Sequence, residues 1–202
     1  QPSVTVVVAA WNEAATIAGK IENTLAQSYP AELLDLIVVS DGSTDGTDEI
    51  VAGHASSAGR VRLLKTGGRQ GKSLALNLGV PAARGELVVL TDANAIFAPD
   101  AIAQLVRLFS DPRVGAGSGE LRYRTSGGLD EGEGVYWRYE QRVKRLESAL
   151  GRLIGANGSI YALRRELFRP LRPLDVNDLR LPYEALLQGR AVVLEPAAEG
   201  VA

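Results

Sequence analysis

"VTVVVAA", the stretch from Val4 to Ala10, decides the class of fold because it is a short, unbroken apolar run rich in valine. A strand at a protein surface alternates apolar and polar residues, whereas a parallel strand buried on both faces is apolar throughout. The next residues, 13–27 ("EAATIAGKIENTLAQ"), are mostly helix formers with apolar side chains four positions apart. The start of the chain therefore predicts a buried parallel strand followed by a helix.

This order of strand and then helix repeats through the first half of the chain. Further strands are predicted in 33–39 ("LLDLIVV"), 61–67 ("VRLLKTG") and 85–94 ("GELVVLTDAN"). Helices are predicted in 48–55 ("DEIVAGHA"), 73–83 ("SLALNLGVPAA") and 99–111 ("PDAIAQLVRLFSD"). Alternating strands and helices predict a Rossmann-like α/β domain, with a mostly parallel sheet flanked by helices.

The second half of the chain has a less regular pattern. Residues 114–124 ("VGAGSGELRYR") predict another strand, and 125–134 ("TSGGLDEGEG") predict a flexible loop. Residues 135–154 ("VYWRYEQRVKRLESALGRLI") have one apolar helical face surrounded by basic side chains. We interpret this face as packing on the core, with a membrane-surface or partner helix as the alternative.

The composition restricts the chemistry that these 202 residues can perform. The formal net charge of −2 does not favour nucleic acid as a partner, and the absence of cysteine excludes thiolate chemistry and Cys-based zinc sites. The single histidine, His54, lies in a small-residue segment that we interpret as a loop, facing solvent. Carboxylates, lysine, arginine or a bound metal must therefore carry any reaction.

The sequence lacks a membrane-spanning segment, a signal peptide and methionine. No apolar run approaches the roughly 18 residues of a membrane span, and no signal peptide is visible. The sequence contains no methionine, even at its first position. We therefore expect a domain taken from a longer protein.

Polar residues follow each predicted strand of the first half. They are 11–13 ("WNE"), Asp41, 66–72 ("TGGRQGK"), and Asp92 with Asn94. The carboxyl ends of parallel strands meet at one edge of the sheet, which is where α/β domains of this kind bind their ligands. The sequence therefore predicts a ligand site at this edge.

The "GKS" segment, Gly71 to Ser73, resembles the second half of a phosphate-binding P-loop. Thr66 stands where that motif needs its first glycine, so an ATPase or GTPase is not favoured. Arg69 and Lys72 can still hold a phosphate.

Three carboxylates near this edge each have a structural and a functional interpretation. Asp41 either forms an Asx-turn or accepts a hydrogen bond from a nucleobase or ribose. Asp92, with Asn94 two residues later, either forms a turn or supplies oxygen ligands to Mg²⁺ or Mn²⁺. Asp178 begins a predicted helix, as its N-cap or as a general base.

Six segments together resemble the family 2 glycosyltransferases of GT-A fold, in the family's order and across essentially the whole chain. The resemblance is nearest to the branch with membrane-associated synthases of β-linked polysaccharides, such as poly-N-acetylglucosamine, chitin-oligosaccharide and hyaluronan synthases. The segments are 6–13 ("VVVAAWNE"), 38–47 ("VVSDGSTDGT"), 68–79 ("GRQGKSLALNLG"), 88–102 ("VVLTDANAIFAPDAI"), 155–168 ("GANGSIYALRRELF") and 177–196 ("NDLRLPYEALLQGRAVVLEP").

The resemblance implies a site for a nucleotide-diphosphate sugar, with UDP as the expected nucleotide. The residues expected to bind the nucleotide are Asn12, Glu13, Asp41, Arg69, Lys72 and Asp92. Asp92 and Asn94 occupy the family's D-x-D metal-binding positions, so Mg²⁺ or Mn²⁺ is the expected cofactor. Asn94 departs from the family's aspartate and removes one formal charge from the metal site.

The resemblance also implies a carbohydrate acceptor and an inverting transfer with Asp178 as general base. We add Tyr136, Trp137, Gly155 and Asn157 as candidates for acceptor contacts. The chain is expected to be one GT-A domain over 1–202, with a nucleotide-binding half in about 1–120 and an acceptor half in about 121–202.

The resemblance further implies a parent protein at the cytoplasmic face of a membrane, reached through segments that flank a soluble fragment. Two alternatives remain open. One is a nucleotide-sugar-binding domain with little or no turnover. The other is a sugar nucleotidyltransferase, which needs a glycine-rich loop where 9–16 ("AAWNEAAT") stands.

Overall fold

The computed structural model describes residues 1–55, 59–122, 139 and 142–201. The strands are β1 (Val4–Ala10), β2 (Leu34–Ser40), β3 (Val61–Lys65), β4 (Leu87–Thr91), β5 (Ile96–Phe97), β6 (Val114–Arg122), β7 (Tyr161–Arg164) and β8 (Ala191–Val201). The helices are α1 (Ile17–Leu25), α2 (Thr47–Ala55), α3 (Lys72–Ala82), α4 (Ala101–Leu108), α5 (142–149) and α6 (Asn177–Leu187).

The eight strands form one sheet in the order β3-β2-β1-β4-β7-β6-β8-β5. Strands β3, β2, β1 and β4 are parallel neighbours, and β6 is parallel to β8. Strand β7 runs antiparallel between β4 and β6, and β5 pairs antiparallel with β8. The prediction of a mostly parallel sheet flanked by helices is confirmed.

The burial of β1 explains its unbroken apolar sequence. Val6, Val7 and Val8 are each fully buried. Val6 and Val8 belong to one hydrophobic cluster and Val7 to another. Strand β1 therefore packs on both faces, as a central parallel strand requires.

Helix α3 lies unusually close to the sheet at Gly79. A Cβ atom added at Gly79 would lie 2.7 Å from Val7 Cγ1 and 2.8 Å from Val39 Cγ2. Only glycine allows this close approach. The contact fixes the position of α3, and therefore of Lys72 at its first turn.

Two predictions are wrong. His54 was predicted to lie in a loop, but it lies in the last turn of α2, half-buried, with Nδ1 2.8 Å from the carbonyl oxygen of Ile50.

The apolar face predicted for 135–154 does not pack on the core in its described part. Leu146 is 61% exposed and Leu150 is 76% exposed, whereas Leu153 is fully buried. Within the described ranges, no helix has the length and apolar character needed to cross a bilayer.

Candidate active site

The loops that follow β1 and β2 are joined by hydrogen bonds. The Asn12 side-chain oxygen accepts from the backbone N–H of Thr44 at 2.8 Å, and the backbone N–H of Glu13 donates to Thr47 Oγ1 at 2.8 Å. Asn12 also has a φ of 55°, a left-handed conformation in which asparagine is among the more tolerated residues. Asn12 and Glu13 therefore lie at the predicted edge. Their backbone and amide contacts described here fix the shape of the loops.

Asp41 is buried, with 4% of its surface exposed, and its carboxylate holds the loop after β3. Oδ1 accepts from Thr66 Oγ1 at 3.0 Å and from the Gln70 N–H at 2.8 Å, and Oδ2 accepts from the Gly71 N–H at 2.7 Å. A carboxylate offers about four lone-pair directions, so these three donors leave about one for a ligand. Asp41 therefore fixes the shape of the loop after β3, residues 66–71. Its contact with a nucleobase stays a prediction.

We expect Asp41→Ala to weaken UDP binding by ~1–3 kcal/mol, since it removes a ligand acceptor and leaves two loop N–H groups unpaired. Calorimetric titration with UDP measures this effect. Asp35→Ala is the matched control, because Asp35 pairs with Arg62 at the opposite end of β2. Unchanged UDP affinity in Asp41→Ala would contradict the assignment.

Arg69 and Trp11 stack on each other across the edge. The guanidinium carbon of Arg69 lies 3.4 Å from the centroid of the Trp11 ring, which is 42% exposed. Such a pair forms a flat, positively charged surface. The sequence prediction placed Arg69 near a diphosphate and gave Trp11 no role of its own. The signal for Trp11 was an aromatic residue directly after a buried strand.

Lys72 and Asp92 form an ion pair at the carboxyl ends of β3 and β4. Lys72 Nζ lies 2.5 Å from Asp92 Oδ1, and Ser159 Oγ donates to Asp92 Oδ2 at 2.6 Å. Lys72 is the first residue of α3, where free backbone N–H groups and the helix dipole also favour an anion. A phosphate group bound here would meet both the lysine and the helix start.

Lys20 is a buried lysine beneath Asp92 that the sequence analysis missed. Its Nζ donates to Thr91 Oγ1 at 2.9 Å and to the Ala95 carbonyl at 2.6 Å, and lies 3.6 Å from the centroid of the Phe97 ring. These contacts hold both ends of the turn that carries Asp92 and Asn94. Burial lowers the pKa of Lys20 to about 7, although the negative charge of Asp92 opposes this shift.

The lowered pKa of Lys20 predicts a specific pH dependence of stability. Unfolded, the lysine titrates near 10.5, so between about pH 7 and 10.5 the unfolded chain binds more protons than the folded chain. The free energy of unfolding therefore rises with pH across this window. Urea unfolding of the metal-free chain at two pH values inside the window should show a rise larger by ~1–2 kcal/mol than in Lys20→Met. Parallel pH profiles of the two proteins would show that Lys20 is charged in the fold.

Asp92 and Asn94 alone provide too few oxygen atoms to coordinate a metal ion, so a bound phosphate group and water would have to complete the site. Asn94 is exposed at the turn, and Asp92 already contacts Lys72 and Ser159. Across the described part of the chain, no cluster of three or more His, Cys, Asp or Glu residues is suited to hold a metal ion. One carboxylate and one amide oxygen fit Mg²⁺ or Mn²⁺ when phosphate oxygens and water complete the coordination.

Asp178 lies in the first turn of α6 but does not cap it. The helix begins at Asn177, its N-cap is Val176, and no side chain makes a capping hydrogen bond. The N-cap interpretation of Asp178 is therefore wrong. A Cβ added at Gly158 would lie 2.6 Å from Asp178 Oδ2, so the absence of a side chain at Gly158 leaves room for this carboxylate.

Buried Tyr161 connects Asp178 with the edge of the sheet. The Asn177 side-chain amide donates to the Tyr161 hydroxyl at 2.7 Å. Burial raises the pKa of Tyr161, the hydrogen bond from Asn177 lowers it, and the negative charges of Asp178 and Asp92 raise it further. Asp178 Oδ2 lies beside Gly158, and the next residue, Ser159, donates from Oγ to Asp92 Oδ2 at 2.6 Å, so the predicted base and the Lys72–Asp92 pair contact neighbouring residues of one turn.

The acceptor candidates divide into two groups. Gly155 and Asn157 belong to the turn beside Asp178, where the Asn157 N–H donates to Ser118 Oγ at 2.8 Å. Tyr136 and Trp137 lie outside the described residues. A cavity of about 560 Å³ lies at the opposite edge of the sheet and contains none of the predicted site residues.

A mostly parallel sheet with a lysine, a helix start and two oxygen-bearing side chains at its carboxyl edge is typical of α/β domains that bind a ligand at that edge. The chain belongs to glycosyl transferase family 2, whose model matches residues 5–171. It is therefore a glycosyltransferase domain, and the predicted family and GT-A fold are confirmed.

Curated relatives and solved structures agree with this assignment. The chain is 31% identical to a beta-monoglucosyldiacylglycerol synthase of Nostoc sp. over 174 residues, which cover 82% of this chain and 36% of that protein. It is 31% identical over 127 residues to the poly-beta-1,6-N-acetyl-D-glucosamine synthase of Staphylococcus aureus, covering 62% of this chain and 30% of that protein.

Among solved structures, the mannosyltransferase PcManGT of Pyrobaculum calidifontis, in complex with GDP-Man and Mn²⁺, superposes with a TM-score of 0.85. It is 30% identical, and the match covers 100% of this chain and 57% of that one. The chain spans about a third of the length of the two curated relatives named above.

Proposed function

We propose that the domain catalyses an inverting transfer of a sugar from a nucleotide-diphosphate sugar to an acceptor hydroxyl. The observation that carries the proposal is the convergence of Lys72, Asp92 and Asp178 beside the Gly158–Ser159 turn at one edge of the sheet. A cation for the diphosphate and a carboxylate for the acceptor are the two charges that such a reaction requires.

The donor is held through its diphosphate. Lys72 and the N–H groups at the start of α3 stabilise the negative charge that grows on the diphosphate as the sugar leaves, which is often the largest contribution to rate. Asp92 and Asn94 would bind Mg²⁺ or Mn²⁺, which supplies further positive charge to the leaving group. The loop fixed by Asp41 places Lys72 for this contact.

The acceptor is activated by Asp178. Its carboxylate removes the proton from the acceptor hydroxyl while that oxygen forms a bond to the anomeric carbon. The bond from the anomeric carbon to the diphosphate breaks on the opposite face, and its electron pair stays with the diphosphate. The configuration at the anomeric carbon is therefore inverted.

UDP is the proposed nucleotide, on the strength of Asp41 directly after β2, a position that the family resemblance assigns to contact with the base. GDP is the alternative, favoured by the likeness to a mannosyltransferase solved with GDP-Man. The Arg69–Trp11 stack offers a flat surface for either base. A carbohydrate hydroxyl is the proposed acceptor, and the beta-monoglucosyldiacylglycerol synthase among the relatives supports a lipid hydroxyl as the second candidate.

Calorimetry and product release together test the proposal. Titration of the chain with UDP and GDP, each with Mn²⁺, should show selective binding of UDP. A sensitive assay of nucleotide release from the corresponding sugar nucleotides should then show turnover with an acceptor. Binding without any release would instead favour a nucleotide-sugar-binding domain that has lost turnover, which the missing charge at Asn94 supports.

A further inference from the structure

The turn that precedes β7, residues 157–160, contacts both carboxylates of the proposed site. It is closed by a hydrogen bond of 3.0 Å from the Ile160 N–H to the Asn157 carbonyl. Directly before it, the Ala156 N–H donates to the Asp178 carbonyl at 2.9 Å, which ties the turn to the start of α6. The two residues in the middle of the turn each contact one of the carboxylates, and their side chains differ in what they contribute.

The hydroxyl of Ser159 is not needed for the shape of this turn. The Ser159 N–H donates to Asn157 Oδ1 at 3.2 Å, and the Ser159 carbonyl accepts from Thr91 Oγ1 at 2.7 Å. Both backbone polar groups therefore have partners, and the hydroxyl donates to Asp92 Oδ2 at 2.6 Å. Because Lys72 contacts Oδ1 of the same carboxylate, the two donors hold Asp92 by both oxygens and fix its orientation.

Gly158 contacts the second carboxylate from the same turn. A Cβ added there would lie 2.6 Å from Oδ2, 3.2 Å from Cγ and 3.5 Å from Cβ of Asp178. These nearest atoms all belong to one flexible side chain, so an alanine would displace the Asp178 carboxylate and not the backbone. Gly158 is not among the glycines with a positive φ, so alanine brings no left-handed strain.

We propose that Gly158 and Ser159 are positioning residues with separate tasks in the transfer. Ser159 holds Asp92 in the orientation in which it would bind the cation, and Gly158 leaves the space from which the Asp178 carboxylate reaches the acceptor. The inference rests on the function proposed above, because Asp92 and Asp178 are its metal ligand and its base. It adds that adjacent residues of one turn act on opposite sides of the reaction, one on the donor and one on the acceptor.

Ser159→Ala should weaken Mn²⁺ by roughly 10- to 100-fold in the ternary complex with UDP, the usual effect of removing a hydrogen-bond partner of a metal-binding side chain. Calorimetric titration of Mn²⁺ into the UDP-saturated chain measures this effect without requiring turnover. In the complete parent protein, excess Mn²⁺ should restore most of the transfer that the variant loses. Ser148→Ala is the matched control, because Ser148 Oγ accepts from the Leu194 N–H at 2.7 Å beside the start of β6, away from the site edge.

Gly158→Ala should lower kcat for transfer in the complete parent protein by roughly 10- to 100-fold, since a misplacement of ~1 Å can have an effect of that size. The KM for the sugar nucleotide and the Mn²⁺ affinity of the ternary complex should stay as they are, and excess Mn²⁺ should restore nothing. Gly19→Ala is the matched control, because a Cβ at Gly19 in α1 meets no atom within 4 Å. All variants are assayed well below their melting temperatures, so that unfolding does not contribute.

The separation of the two effects decides the inference. Ser159→Ala with unchanged Mn²⁺ affinity, or Gly158→Ala with unchanged kcat, would overturn it. Equal losses of Mn²⁺ affinity and kcat in both variants would also overturn it, because the turn would then be only a structural support. Failure of the unchanged chain to bind UDP with Mn²⁺ would instead contradict the proposed function, and this inference with it.

Discussion

Asp178→Asn should lower sugar transfer by ~10²–10⁴-fold while leaving the melting temperature and the UDP affinity nearly unchanged. An amide takes no proton at neutral pH, so this variant removes the general base, whose usual contribution is of that size. Asp178 makes no capping hydrogen bond in α6, so the fold loses only the interaction of a negative charge with the helix dipole, about 0.3–1 kcal/mol. Transfer is measured in the complete parent protein, and melting and UDP binding in this chain.

Asp100→Asn is the control for a charge lost at a helix start, because Asp100 is the N-cap of α4, also without a side-chain capping bond. It should change the melting temperature as little as Asp178→Asn does and leave transfer intact. If Asp178→Asn retains transfer within a few-fold of the parent, Asp178 is not the base, and another carboxylate at the edge must be sought.

Asp92→Asn should reduce transfer by roughly 10²–10³-fold, since metal stabilisation of the leaving group contributes several kcal/mol. The side chain keeps its shape but loses the charge that pairs with Lys72 and would attract the cation. UDP affinity measured with Mn²⁺ should fall to the value found for the unchanged chain in excess chelator. Equal UDP affinity of the unchanged chain with Mn²⁺ and with chelator would refute the metal hypothesis.

Asn94→Asp is the complementary variant, because it restores the second carboxylate to the turn. We expect it to tighten Mn²⁺ in the ternary complex with UDP and to have little effect on UDP alone. Asn94 is exposed, so the added charge remains solvated and the fold should be unaffected. Unaltered Mn²⁺ affinity would place the metal ligands elsewhere at the edge.

The strands and the site edge were predictable because they depend on local patterns. An unbroken, valine-rich run such as Val4–Ala10 is typical of a strand buried on both faces of a sheet, and polar residues that follow parallel strands meet at one edge. Asp41, Lys72 and Asp92 were found in this way. Strands β7 and β8 were missed because their places depend on pairings with distant partners.

Other features of the site depend on tertiary contacts that no sequence pattern displays. Lys20 lies on the face of α1 that also buries Ile17 and Ile21, but a lysine at such a position can extend its charged end to solvent. The sequence does not show that Phe97 of β5 and the turn of Asp92 cover it. The predicted contact of Asp41 with a base stays a prediction, and its hydrogen bonds to the loop 66–71 were not predicted. The sequence left Asp178 as either the N-cap of α6 or a general base. The helix begins at Asn177, so Asp178 lies inside its first turn and does not cap it.

A crystal structure of this chain with UDP and Mn²⁺ would show the proposed site directly. We expect the diphosphate between Lys72 and the metal, the metal in contact with Asp92 and Asn94, and the Asp178 carboxylate facing the position of the transferred sugar. Nucleotide bound in the cavity at the opposite edge, which Arg60 and Arg84 line, would contradict it.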